Sequence, residues 1–133
     1  MNFKRFIGAT LAVFVFFFLY EWLVHGHLLM GTYLETPKVW RNFSEMQANM
    51  HLTILYQLAL AAWVTYVFSC IYPEGGIDKG LRLGIYFGVF AGILTASWYL
   101  WLPVSSSLAW SWLVSGLGEG LGAGFLLGLI YRR

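Results

Sequence analysis

The sequence predicts an all-α polytopic membrane protein whose four transmembrane helices form one antiparallel bundle. Two observations lead to this class. The 133 residues are 59% hydrophobic and 11% charged, whereas soluble domains have about 45–50% apolar and about 25% charged residues. The chain also contains four apolar stretches that each reach the roughly 20 residues needed to cross a membrane. A chain of this length is expected to form a single domain, residues 1–133.

The first apolar stretch, residues 6–29, follows the basic residues Lys4 and Arg5. A basic start before an apolar run is also typical of a signal peptide. However, no small-residue cleavage motif follows, and the apolar run continues beyond Glu21. We therefore interpret this stretch as an uncleaved first transmembrane helix.

A longer connection, residues 35–50, separates the first two spans. Thr36 is a candidate N-cap, and Pro37 suits the first helical position. Apolar residues then recur at helical spacing with charged residues between them: Val39, Phe43, Met46 and Met50. This pattern predicts a short amphipathic helix at the membrane interface. The alternative is that these residues are the solvated start of the second span.

The remaining spans are predicted at residues 50–72, 81–102 and 107–131. Asp78 is a candidate N-cap for the third span, and Pro103 is expected to end it. The serines that follow Pro103 are expected to cap the fourth span.

The basic residues predict the orientation of the four spans, which place both termini on one side. Lys38 and Arg41 are the basic residues of the opposite side. The excess on the terminal side predicts cytoplasmic termini. That side collects Lys4, Arg5, Lys79, Arg82, Arg132 and Arg133. The tryptophans near the opposite ends of the helices are either interfacial anchors or packed between helices: Trp40, Trp98, Trp101, Trp110 and Trp112.

Glycines recur every four residues in the third and fourth spans, a spacing typical of a glycine zipper. Positions four apart share one helix face, and a face without side chains lets two helices approach closely in lipid. We expect the two stripes to pack against each other in a tight hairpin. The alternative is that one stripe contacts a second copy of the chain. The stripes are Gly80, Gly84, Gly88 and Gly92, and Gly116, Gly120, Gly124 and Gly128.

Each of the four spans carries a polar side chain at a similar predicted depth, given a helical rise of about 1.5 Å per residue. These residues are Glu21, Gln57, Thr95 and Glu119. Carboxyl groups inside a membrane usually face the bundle interior and mark ion or proton pathways. At least one of Glu21 and Glu119 is expected to be protonated at neutral pH, because burial disfavours the charged form.

Two histidines raise the question of a metal site. Glu21 and His25 lie four residues apart on one helix face, and His51 is predicted at a similar level on the second span. Carboxylates and imidazoles can form metal sites inside four-helix bundles, and paired histidines can ligate haem. The sequence requires neither cofactor. We favour the interpretation that these polar groups form hydrogen bonds between helices.

The layout resembles a family of small four-helix bacterial membrane proteins of unknown function. The resemblance depends on the aromatic-rich "FLYEWLVHGHLL" of the first span, the glycine-striped "GLRLGIYFGVFAG" and the closing "GFLLGLIYRR". It spans most of the chain, and it implies the four-helix topology and a location in a bacterial inner (plasma) membrane. It does not imply an activity.

Composition and motifs narrow the function without identifying it. A net charge of +2 gives no reason to expect a nucleic-acid partner, and the single Cys70 excludes an intramolecular disulfide. No nucleotide-binding or hydrolase motif is present, so an enzyme is not favoured. The first hypothesis is a scaffold or accessory subunit in the lipid bilayer, either as a homo-oligomer or within a larger complex. The second is a small transporter or metal- or proton-handling protein that uses the intramembrane Glu and His residues.

Overall fold

A computed structural model of the chain describes residues 3–131, and among these residues it contains helices and turns but no strand. The predicted all-α class is confirmed. The elements in chain order are α1 (Phe3–Leu23), a π-helical turn (Val24–Leu28), α2 (Met30–Leu34), α3 (Phe43–Ala48), α4 (Met50–Ile71), α5 (Ile77–Ala96), a 3₁₀ turn (Ser97–Leu100) and α6 (Ser106–Ile130).

Within the described residues, four helical segments are long and apolar enough to cross a membrane. They run over Phe3–Leu28, Met50–Ile71, Ile77–Leu100 and Ser106–Ile130. The first includes the π-helical turn, so Gly26 does not end the helix. The chain is therefore described below as an integral membrane protein.

Two of the predicted helix caps are wrong and one is confirmed. The Thr36 side chain caps no helix, because the chain forms turns there; α3 begins later, where the Asn42 side chain accepts a hydrogen bond from the Glu45 N–H at 2.9 Å. Asp78 lies inside the first turn of α5, and the capping position belongs to Gly76. Ser105 caps α6 by accepting a hydrogen bond from the Leu108 N–H at 3.2 Å.

The connection between α2 and α4 contains a short separate helix. Its six residues, Phe43–Ala48, end at Asn49, from which α4 starts. Phe43 and Met46 are exposed on its surface. Of the two interpretations of this segment, the structure adopts the separate helix.

α5 and α6 pack more extensively than any other pair of described helices. A Cβ atom placed on Gly88 would lie 2.7 Å from the carbonyl oxygen of Gly116, and one on Gly116 would lie 2.6 Å from the Cα of Gly92. Both distances are too short for a real contact, so the two backbones leave no room for a side chain. The two glycine stripes face each other within one chain, so neither is directed at a second copy.

The end of the bundle that carries the chain termini, called the terminal end below, is closely packed. Phe17 of α1, Phe68 of α4 and Leu127 of α6 are fully buried there. The ring of Tyr131 packs edge-on against Phe68, with 5.6 Å between ring centroids. Gly75 lies against the Tyr131 backbone with a φ of 71°, so both space and conformation require glycine at that position.

The opposite end, called the cap end below, is closed by a second apolar cluster. Leu108 and Trp112 at the start of α6 are buried against Tyr33 of α2 and against Trp40 in the following turn. Between the two ends the packing is uneven. α1 packs on α4 and on α6, but among the described residues α4 and α5 have no extended backbone contact. We call the line between them the α4–α5 seam.

Candidate functional site: an intramembrane cavity

A cavity of about 790 Å³ lies between the packed terminal end and the cap end, and several of its lining side chains are also exposed at the surface of the bundle. Towards the terminal end the cavity is lined by Phe17 and Phe87. Towards the cap end it is lined by Tyr33, Trp40 and Trp112. All four spanning segments contribute to its wall. A second, smaller groove along the α4–α5 seam shares Phe87 and Phe90 with the cavity, so the two spaces adjoin.

The four polar residues singled out from the sequence all line this cavity: Glu21, Gln57, Thr95 and Glu119. They come from α1, α4, α5 and α6, so the fold brings together one polar side chain from each span. Glu21 and Glu119 both direct a carboxyl group to this one space. Thr95 donates its hydroxyl hydrogen to the carbonyl oxygen of Ala91 within α5.

Glu119 owes its direction to the two small faces on either side of it on α6. Gly116 and Gly120 pack on the backbone of α5, while Gly118 and Gly122 pack on Tyr20 and Phe16 of α1. Because residues in a helix are spaced by 100°, position 119 lies between these two faces. The tight packing of both neighbouring helices against glycine therefore leaves the Glu119 side chain directed into the cavity.

Gln57 is the most deeply buried of the four polar residues, with 6% of its surface exposed. Its side-chain oxygen has no hydrogen-bond partner among the described residues. An unpaired buried polar atom costs about 1–3 kcal/mol. Because this oxygen has no accessible surface, Gln57 lines the cavity through the rest of its side chain.

A chain of hydrogen-bonding groups runs from the cap end to Glu21. The Trp112 indole N–H donates to the Tyr33 hydroxyl oxygen at 2.8 Å, and that hydroxyl lies 2.5 Å from Nδ1 of His25. Trp112 can only donate, so the hydroxyl hydrogen of Tyr33 is available for His25 Nδ1. When the Tyr33 hydroxyl donates to Nδ1, the proton of the neutral imidazole is on Nε2, which lies 3.5 Å from the Glu21 carboxyl oxygen.

The π-helical turn positions His25 in this chain. Its backbone is widened by one residue, with the Leu29 N–H bonded to the Val24 carbonyl at 2.8 Å. Such turns frequently occur at functional sites. After the turn, α2 folds back so that Tyr33 stacks on His25, with 5.9 Å between ring centroids.

Burial raises the pKa of the Tyr33 hydroxyl above its ordinary value. The hydrogen bond from Trp112 acts in the opposite direction, and the negative charge of Glu21 acts in the same direction as burial. Tyr33 therefore remains a neutral hydroxyl that can both donate and accept.

The structure does not assemble the metal site considered from the sequence. His25 and Glu21 lie side by side, but the side chain of His51 is exposed outside the cavity. His27 points elsewhere and packs on Trp22, with 4.2 Å between ring centroids. Within residues 3–131, no three His, Cys, Asp or Glu side chains are grouped so that they could hold a metal ion. His51 lies in the first turn of α4 with its side chain exposed, and counting residues along the helix did not reveal this direction.

Sequence reasoning missed the role of Tyr33 in this arrangement. Its partner Trp112 lies 79 residues away along the chain, and no local pattern links the two. Of the rim tryptophans, Trp112 is buried and Trp40 is half-buried in the cap, whereas Trp98, Trp101 and Trp110 are exposed. Both interpretations of these tryptophans therefore apply, each to different residues.

Comparison with known proteins adds no relative: no family model, curated protein or solved structure matches this chain.

Proposed function

We propose that this protein is a small membrane carrier that binds a ligand in the intramembrane cavity and exchanges protons with it at Glu21 and Glu119. One observation carries the proposal: a polar side chain from each of the four spans lines a single cavity of about 790 Å³. Ligand pockets generally enclose about 300–1,000 Å³, so the space suits a small molecule.

The polar groups support binding rather than only adhesion between helices. Groups that serve only to hold helices together would be expected to bond to one another across the bundle. Here the Gln57 side-chain oxygen is buried without a partner, and Thr95 bonds within its own helix. Glu21 and Glu119 face the same space, where carboxyl groups within a membrane typically mark ion or proton pathways.

The chain from Tyr33 through His25 to Glu21 supports the proton-exchange part of the proposal. Its hydroxyl, imidazole and carboxyl groups can each give up and take up a proton, and Trp112 only holds the Tyr33 hydroxyl in place. In this proposal His25 and Tyr33 are positioning residues that orient Glu21. His25 also provides a route for the proton of Glu21.

The test is a ligand screen on the full chain purified in detergent. Melting temperatures are measured with a panel of organic cations, organic anions, neutral compounds and metal chlorides. The proposal expects at least one class to stabilise the wild type and the Glu45→Gln variant, whose substituted side chain lies exposed on α3. The shift should be lost in Glu119→Gln, and ligand addition in weak buffer should release protons from the wild type and from Glu45→Gln but not from Glu119→Gln.

A scaffold or accessory subunit, the first hypothesis from the sequence, predicts a different result. It needs no ligand, so no panel member should produce a shift that depends on Glu119. That outcome would overturn the carrier proposal. The same outcome would leave a role in assembly as the better proposal.

We further infer that both termini face the cytoplasm of a bacterial inner membrane. Lys38 and Arg41 belong to the cap end, whereas more basic residues belong to the terminal end, and such an excess favours the cytoplasmic side. The basic residues of the terminal end are Lys4, Arg5, Lys79 and Arg82, together with Arg132 and Arg133, which lie outside the described residues. The resemblance to small bacterial membrane proteins supports the same location.

A further inference from the structure

We propose that the ligand of the cavity is a lipophilic organic cation, a compact positive charge on an aromatic or branched apolar body. This inference rests on the proposed carrier function and names its substrate class. It combines the charge of the cavity wall, the chemistry of its apolar surface, and its position beside the α4–α5 seam.

The charge of the wall favours a cation. Glu21 and Glu119 are the acidic residues that line the cavity, and none of the described lining residues is lysine or arginine. The one histidine among them, His25, lies beside Glu21, with 3.5 Å between Nε2 and the carboxyl oxygen. Each carboxyl that releases its proton as the ligand enters leaves a negative charge beside the cation. One cation bound and one proton released keep the total charge of the cavity unchanged.

Gln57 is a further polar group of the wall, independent of the two carboxyls. Its side chain is more than nine-tenths buried and lines the cavity. Its oxygen is buried without a partner and has no surface open to the cavity, so the charge preference of the cavity is set by the two carboxyls.

The apolar surface of the cavity is rich in aromatic rings. The faces of such rings attract cations, most strongly for tryptophan, and the attraction increases when water is excluded. The same rings accommodate a flat apolar body. The second and third spans contribute Tyr56, Phe87, Phe90 and Trp98 to this lining.

The seam suggests how a membrane-dissolved molecule reaches the carboxyls. α4 and α5 lack extended backbone contact, and the groove between them is lined by Trp63, Tyr86 and Phe90. Because Phe87 and Phe90 also line the cavity, the groove continues into it. An apolar cation dissolved in the bilayer would enter between α4 and α5 without passing through either packed end.

The experiment uses two ions of the same shape and opposite charge, tetraphenylphosphonium and tetraphenylborate. Their binding to the purified full chain is measured by equilibrium dialysis, with empty detergent micelles subtracted. We expect the wild type to bind the phosphonium at least tenfold more tightly than the borate. Glu119→Gln and Glu21→Gln should each weaken phosphonium binding at least tenfold, Glu119→Asp should retain it, and Glu45→Gln should match the wild type.

Three outcomes would overturn the inference: equal or tighter binding of the borate, phosphonium binding unchanged in both glutamine variants, or no binding of either ion. The ligand screen then decides how far the failure extends. If another compound class gives a Glu119-dependent shift, the carrier function stands and only the substrate class is wrong. If no class does, both proposals fail. Melting temperatures of the variants without ligand show whether a loss of binding reflects unfolding.

Discussion

Tyr33 joins the cap end to the cavity through one hydroxyl group. It accepts a hydrogen bond from Trp112, and its ring packs edge-on against Trp40, with 5.0 Å between centroids. The same hydroxyl contacts His25 Nδ1, so a change at this one atom affects both the packing of the cap and the orientation of the imidazole beside Glu21.

The Tyr33→Phe variant is expected to lower the free energy of unfolding at neutral pH by about 1–3 kcal/mol, because the buried Trp112 N–H loses its acceptor. Burial raises the pKa of Tyr33 in the folded state. Its contribution is therefore complete below the ordinary tyrosine pKa of about 10 and is lost as pH rises through the folded-state value. The variant should show a shallower fall in melting temperature above that pH.

Thermal unfolding of the wild type and the variant from neutral to strongly alkaline pH measures both effects. Tyr99→Phe is the matched control, because Tyr99 is exposed on the 3₁₀ turn and should behave as the wild type. Identical alkaline slopes for Tyr33→Phe and the wild type would contradict the role assigned to the Tyr33 hydroxyl.

At the scale of the helices, α6 organises the bundle because it offers two different small faces. One face of glycines lets α5 approach to backbone contact, and another receives Phe16 and Tyr20 of α1. Tyr20 adds a hydrogen bond to the Ser115 carbonyl oxygen at 2.8 Å. Because close packing is a main source of helix association in lipid, these faces compensate for the low helix propensity of glycine.

Gly88→Ala is expected to destabilise the protein by about 1–3 kcal/mol, the usual cost of overpacking. The added Cβ would meet backbone atoms of Gly116 and Leu117, which cannot rotate away as a side chain would. Gly8→Ala on α1 is the matched control, because no atom lies within 4 Å of a Cβ at that position. Equal melting temperatures for the two variants in detergent would show that the α5–α6 contact does not depend on glycine.

The whole molecule is packed at its two ends and open between them. The cores of the terminal end and the cap end are separate clusters, and the cavity lies between them. α4 is held mainly through α1, whereas α5 is held through α6. The bundle therefore consists of two helix pairs, α1 with α4 and α5 with α6, which are joined by the contact between α1 and α6. The α4–α5 seam is the side on which this bundle is least closed.

The orientation of the whole molecule is tested by cysteine labelling in a Cys70→Ser background, since Cys70 itself is exposed. Glu74→Cys and Ser106→Cys replace exposed residues at the terminal end and the cap end. They avoid Gly76, which has a φ of 119°, and the helix cap Ser105. A membrane-impermeant maleimide should label position 106 on intact cells, and position 74 only after the membrane is opened. The reverse pattern would place the termini outside.

The sequence by itself determined the class of the protein and its four spans. Lipid-compatible composition and helix-length apolar runs are properties of local segments, because a backbone in lipid must satisfy its hydrogen bonds within the helix. The cap at Ser105 was predicted for the same reason, as it depends on neighbouring residues alone. Even locally the prediction failed where candidates competed, since Asn42 and not Thr36 supplies the cap.

Only the tertiary structure decided which polar residues meet. Counting along the helices placed Glu21, Gln57, Thr95 and Glu119 at similar depths, but depth says nothing about the direction in which a side chain points. Direction follows from how the helices pack, which is why Glu119 reaches the cavity between two glycine faces and His51 remains outside it. The contact between Tyr33 and Trp112, and the opening between α4 and α5, likewise depend on packing between distant segments, which no local pattern in the chain records.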